Sequence, residues 1–134
     1  MVLTGTKTDA SFDNHYYGSS EVGLWFGAID DLWKLGKPVG EGGVWKNTSI
    51  KANEPSLPYL MTGYDRKRLR LEADQNVKFR IEVDFDHRGW HTYQEIEVKG
   101  GSSIVHDFPK GFSAHWVRIT VDTDCTATAW FIYE

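Results

Sequence analysis

Two tryptophans near the end of the chain raise the first chemical possibility. Trp116 lies in "HWVRITVD" and Trp130 in "CTATAWFIYE", two apolar, β-rich runs on either side of Asp122-Thr123-Asp124. A flat indole stacks on the CH face of a sugar ring, while an arginine or carboxylate beside it binds the hydroxyl groups. In the first run Val117, Ile119 and Val121 form the apolar set, so Trp116, Arg118 and Thr120 point to the opposite side. If the runs pair as a hairpin about Thr123, Val117 meets Ala129, Ile119 meets Ala127 and Val121 meets Cys125. That register sets Trp116 against Trp130 and Arg118 against Thr128, one strip carrying both rings. Such a strip is either an exposed platform or a face covered by the first half of the chain. Arg118 favours exposure, because a guanidinium is rarely buried without a partner.

A second ring cluster is "DFDHRGWHTYQ", in which Trp90, His91 and Tyr93 follow a turn containing His87 and Arg88. Loop tips on a rigid scaffold commonly carry binding residues, although an aromatic plug closing the end of a sandwich reads the same way. Asp84 and Asp86 flank the turn, but no DxDxDG run supports calcium there. The five histidines, His15, His87, His91, His106 and His115, show no HExxH or similar ligand spacing. There is no GxSxG, Walker loop or GxGxxG. Asp30-Asp31 is a carboxylate pair, yet adjacency in sequence does not supply the separation of about 5 to 9.5 Å that glycoside hydrolysis needs. The weakest option is an acid–base pair drawn from His15-Tyr16-Tyr17 and His91-Tyr93. The residues therefore point to binding without catalysis, and no metal or cofactor is expected.

The composition fits that reading. Of 134 residues, 40% are hydrophobic and 25% charged, the balance of one soluble globular domain. Six Trp, six Tyr and seven Phe are more rings than a small β core easily absorbs, so some should be exposed. A net charge of -4, with no basic run beyond Arg66-Lys67-Arg68, argues against nucleic acid as a partner. Cys125 is the single cysteine, which excludes an internal disulfide and a cysteine zinc cage and suggests a small buried strand residue. No stretch approaches the roughly 18 apolar residues of a spanning helix, and no signal peptide opens the chain, so a membrane partner is not expected.

The elements that must hold these residues divide the chain in two. Residues 1–58 read as loop-rich, with one or two short strands and a possible helical turn through Ile29, Leu32, Trp33 and Leu35, capped by Gly36. After Pro58, strands are predicted at 59–64, 67–73, 77–85, 92–98, 103–108, 115–122 and 125–132, separated by Asp/Asn/Gly turns. "VKFRIEVDF" is the clearest, with Val77, Phe79, Ile81, Val83 and Phe85 alternating with charges. Short strands at this spacing without helical crossovers predict an all-β antiparallel sandwich, of jelly-roll or immunoglobulin-like type, with a loop-rich N-terminal half.

The runs "WFGAIDDLWKLGKPVGEGGVWKN", "PYLMTGYDRKRLRL", "WHTYQEIEVKGG", "HDFPKGFSAHWVRI" and "DCTATAWFIYE" resemble the C-terminal region of large secreted bacterial proteins associated with polysaccharide. The resemblance covers nearly the whole chain. It implies an accessory β-sandwich resembling carbohydrate-binding modules, extracellular or periplasmic, preceded by a catalytic domain, and it leaves residues 1–58 open to being the tail of that domain. The expected partner is then a polysaccharide or oligosaccharide, bound at Trp116, Arg118, Trp130, Trp90, His91 and Tyr93. The alternative is a structural or docking domain whose aromatic face packs on a neighbouring domain or on a second copy.

Overall fold

The computed structural model describes residues 2–3, 17–19, 23–30 and 36–134. They form two compact units, residues 1–37 and 38–134. In the first, β1 (Val2–Leu3), β2 (Tyr17–Ser19) and β3 (Leu24–Phe26) make a small antiparallel sheet in the order β1-β3-β2. Leu32, Trp33 and Leu35 of the predicted helical turn lie outside the described residues, as do His15 and Tyr16.

The second unit carries eight strands: β4 (Gly40–Ile50), β5 (Tyr59–Leu60), β6 (Lys67–Ala73), β7 (Val77–Asp84), β8 (His91–Val98), β9 (Ser103–Asp107), β10 (Trp116–Val121) and β11 (Cys125–Tyr133). They lie in two antiparallel sheets, ordered β5-β10-β7-β8 and β4-β11-β6-β9. Numbered from β4, the sheets read second-seventh-fourth-fifth and first-eighth-third-sixth, the double Greek key of a jelly roll. Period-two patterning produces this directly. In β6 and β7, Leu69, Leu71, Phe79, Ile81 and Val83 turn inward and are essentially fully buried, while the charged residues between them face out. Met61, Val98, Val117, Ile119, Val121 and Phe131 complete the deepest layer.

Three features depart from the expected strands. The strand predicted at 59–64 is only the two-residue β5, Tyr59–Leu60. The stretch read as loop-rich contains the 11-residue strand β4, and its Trp45 lies in the core, 8% exposed. Alternation is broken there because the register against β11 shifts twice between Ala127 and Trp130, each shift adding a residue to β4. Phe85, predicted to point inward, is 46% exposed, whereas Asp84 before it is buried. The strand ends at Asp84, whose carboxylate accepts hydrogen bonds from the backbone N–H groups of Asp86 and His87, at 3.1 and 2.7 Å.

The last turn is also not a hairpin. β10 belongs to the sheet of β5 and β7, and β11 to the sheet of β4 and β6, so Asp122-Thr123-Asp124 is an arch between sheets. The Asp122 carboxylate accepts from Lys78 N–H at 2.9 Å, at the start of β7. Asp124 takes the Lys51 ammonium at 2.7 Å and the Ala52 N–H at 2.8 Å, just beyond β4. Thr126 N–H donates to the Asp74 carboxylate at 3.0 Å, at the end of β6. Turn residues thus fasten β10 and β11 to different neighbours. Val117 pairs with Val83 and Ala129 with Leu71, and the inward faces meet across the core rather than side by side.

At the opposite end an aromatic layer fills the space between sheets. Tyr59 stacks on Phe131 with centroids 5.3 Å apart, and Tyr64 on Tyr133 at 4.6 Å. Tyr133 donates its hydroxyl to the Leu60 carbonyl at 2.9 Å. Gly42 leaves room for the Tyr59 hydroxyl, and Gly43 for the backbone of Ala129 and Trp130. Lys67, 4% exposed, donates its ammonium to the carbonyls of Tyr64 at 2.6 Å and Phe112 at 2.8 Å, and burial pushes its pKa down.

Two expectations follow from this packing. Gly43→Ala drives a methyl into backbone and should cost more stability than Gly42→Ala, which meets only the Tyr59 hydroxyl; adding Tyr59→Phe should restore part of the Gly42→Ala loss, measured by urea unfolding. Burial, reinforced by Tyr59 and Tyr64, raises the Tyr133 phenol far above its usual range. A raised pKa means that Tyr133 supports folding up to about pH 10 and withdraws that support as the pH rises further. Tyr133→Phe should therefore be slightly less stable at pH 7, by about 1 kcal/mol for the lost hydrogen bond, but lose less stability between pH 9 and 11.

Candidate functional site

The predicted tryptophan strip is divided by the arch. Trp116 and Arg118 lie on the outer face of the β5-β10-β7-β8 sheet, while Trp130 lies on the outer face of the other sheet. Neither ring belongs to the hydrophobic core; both are half-buried. The assignment of sides along each strand holds, and only the pairing fails. Trp130 has the Lys46 ammonium 4.9 Å from its ring centroid.

The first cluster is organised by the loop after β7. The Asp84 carboxylate turns the chain, His87 takes a left-handed conformation (φ 63°), and Gly89 (φ 142°) adopts one that only glycine tolerates well. This returns the chain to Trp90 above β10. The Arg118 guanidinium lies 4.5 Å from the Trp90 centroid and binds Glu82 with two hydrogen bonds, Nε to Oε2 at 2.8 Å and Nη2 to Oε1 at 3.2 Å. Trp90, Arg118 and Glu82 thus form one ring–cation–carboxylate group, and Arg118 keeps N–H donors beyond the two that Glu82 takes.

Trp116 stands one residue pair further along, in a row with Leu60 and Asp84. Its indole N–H donates to Nδ1 of His87 at 3.3 Å, which requires the His87 tautomer protonated at Nε2. The His115 ring lies 4.7 Å from His87, and the His115 backbone N–H donates to the Asp84 carbonyl at 2.9 Å. His91 is exposed, 6.3 Å from the Phe85 ring.

Three of the six predicted residues, Trp90, Arg118 and Trp116, therefore share one end of one face, with His91 at the same end. Tyr93 does not join them. It occupies the extra position where the β7–β8 register shifts, and it turns toward Phe108 (5.2 Å), Phe112 (4.9 Å) and His106 (5.6 Å). Burial raises the Tyr93 phenol above its usual range and lowers the neighbouring His106 imidazole below its own. Sequence reasoning placed His87 beside Trp90 but missed its link to Trp116, and it missed Glu82 and His115 as members of the cluster. Glu82 lies on the charged side of the best-defined strand, and only the β7–β10 adjacency assigns it to Arg118. Among the described residues, no group of three or more His, Cys, Asp or Glu side chains is placed to hold a metal ion. Cys125 is buried and unpaired, its thiol pKa raised by that burial.

The sequence matches no family model and no curated protein. Among solved structures, the chain is similar to the PBSX exported protein XepA, with a TM-score of 0.50 and 14% identity over 98% of this chain. It spans about half of XepA's length, 47%. Looser overlaps occur with Bacillus endospore appendages, a family of disulfide-linked pili (TM-score 0.45, 15% identity, 72% of this chain and 86% of that one), and with PirA (0.35, 11%, 71% and 91%). At these identities the likeness to XepA is one of fold.

The three tryptophans differ in what their removal should cost. Trp45→Ala empties a buried site and should lose roughly 3 to 5 kcal/mol. Trp116→Ala and Trp130→Ala remove half-exposed rings and should each lose less than half as much, leaving folded variants usable in binding work. Thermal melts of the three variants side by side check the order.

Proposed function

We propose that this jelly roll is a non-catalytic binding module that holds a polysaccharide on the outer face of the β5-β10-β7-β8 sheet, outside the cell, and tethers an attached enzyme to it. The observation that carries the reading is the gathering of the half-buried Trp90 and Trp116 rings and the mostly buried Arg118–Glu82 pair at one end of that face, held by the Asp84 turn. Indoles supply area to stack on sugar rings, and the spare Arg118 donors and Glu82 lone pairs supply hydrogen bonds to hydroxyls. His87 and His115 add a polar edge beside Trp116. A binding strength near 4 kcal/mol, a dissociation constant of about 1 mM, suffices for tethering, because an attached enzyme turns later encounters into intramolecular ones. The outside location and the attached enzyme are carried by the sequence resemblance.

A second reading, a docking surface for a neighbouring domain or for a second copy of the chain, has its own observation. Leu57 and Leu60 are 84% and 47% exposed along the β5 edge beside Trp116. The two readings separate in one set of experiments. Calorimetric titration of the 134-residue chain with a panel of plant and algal polysaccharides should detect binding, and Trp90→Ala and Trp116→Ala should each weaken it about tenfold or more, a loss of about 1.4 kcal/mol, at unchanged secondary structure. Absence of binding across the panel, or indifference to both substitutions, removes the first reading. Concentration-dependent sedimentation that Leu57→Ser with Leu60→Ser abolishes would then support the second.

A further inference from the structure

The other outer face of the sandwich carries a pocket that the site above does not use. It opens over the β11–β6–β9 end, has a volume of about 410 Å³ and is lined by residues including Asn47, Glu72, Asp74, Ser103, Thr126 and Thr128. That volume lies within the roughly 300 to 1,000 Å³ typical of small-ligand sites. Trp130 is two residues along β11 from Thr128 on the same face, so its indole stands beyond the pocket rim without lining it, with Lys46 over the ring.

The backbone at this point is specialised. The register between β4 and β11 shifts between Ala127 and Ala129 and again before Trp130, and Asn47 is left in a left-handed conformation (φ 50°). The Asn47 N–H donates to the Thr128 hydroxyl at 2.9 Å, which fixes both residues at the rim. Bulges of this kind re-aim side chains, and here they bring an amide to a pocket lined by four hydroxyl side chains, Ser102, Ser103, Thr126 and Thr128. The Asn47 amide and the Ser103 and Thr126 hydroxyls make no hydrogen bond among the described residues.

The lining chemistry selects its occupant. Hydroxyls, an amide and two carboxylates, of which Glu72 pairs with Arg70 at 3.5 Å, offer both donors and acceptors, and a lining with two carboxylates and no Lys or Arg disfavours an anionic group. The Trp130 indole beyond the rim calls for a flat CH face. We infer that this pocket is a second saccharide subsite, taking one neutral sugar ring of a glycan against Trp130. It shares only its ligand class with the site at Trp116 and lies on the opposite face, so one molecule engages two glycan chains at once.

The test follows the indole N–H resonances of the ¹⁵N-labelled full chain during titration with neutral hexasaccharides, of cellulose, xylan and mannan type, and with oligogalacturonate. The expected result is a Trp130 shift with at least one neutral hexasaccharide that persists in Trp116→Ala and needs at least fivefold more ligand in Asn47→Gly, which removes the amide but tolerates the backbone conformation. Ser103→Ala, with no backbone demand, should act in the same direction. The inference is overturned by a Trp130 resonance unmoved by every neutral hexasaccharide, by one whose shift vanishes in Trp116→Ala, or by one that oligogalacturonate moves equally. Movement of the Trp90 and Trp116 resonances reports separately on the site of the first face, so the failure of either site is distinguishable from that of the other.

Discussion

The carboxylates of Asp122 and Asp124 sit two residues apart, yet they bind the backbone and side chains of different strand ends, Lys78 at the start of β7 and Lys51-Ala52 after β4. That division makes the last turn an arch, and the arch decides nearly everything else about the surface. It sends β10 and β11 into opposite sheets, aims Val117, Ile119 and Val121 at Ala127, Ala129 and Phe131 across the core, and leaves Trp116 and Trp130 on opposite outer faces. A hairpin at the same turn would pair the two strands within one sheet and leave its buried face uncovered. The arch instead lets the two halves of one C-terminal motif cover each other.

Within the second unit, the sequence was legible wherever burial imposed a period of two. β6, β7, β10 and β11 appear within a residue or two of their predicted limits, because each buries one side and wets the other. β4 was not legible, since its two bulges and three glycines erase the alternation that identifies a strand, and the space the glycines leave is filled by Tyr59 and by the backbone of β11. Pairing was not legible either. An Asp-Thr-Asp turn suits an arch as well as a hairpin, and only the partners of its carboxylates, which lie some 45 and 70 residues back in the chain, tell them apart. For the same reason the Trp116–Arg118 side could be read from the alternation, while Glu82, which neutralises Arg118, could not.

The cluster around Arg118 illustrates how a partly buried charge is kept on a sheet. Its side chain is 25% exposed and that of Glu82 15%, so each is mostly removed from water and needs the other. Trp90 roofs the pair. The ring is delivered by a loop whose conformation depends on one buried carboxylate, Asp84, and on the backbone freedom of Gly89. Chemistry at the surface thus depends on two residues that would touch no ligand.

The two ends of the sandwich are fastened by different forces. Around Trp116 the loops are held from inside, by the Lys67 ammonium lodged between the carbonyls of Tyr64 and Phe112 and by the stacked tyrosines. At the arch the fasteners are solvent-facing carboxylates. The Asp124 carboxyl is held below its usual pKa first by the Ala52 N–H and then by Lys51. A depressed carboxyl pKa gives support that is complete above the ordinary carboxylate range and fades as the pH falls through the lowered value. Acid therefore withdraws the Asp124 fastening at the arch, whereas the Lys67 ammonium at the aromatic end, which acid leaves charged, keeps its carbonyl partners.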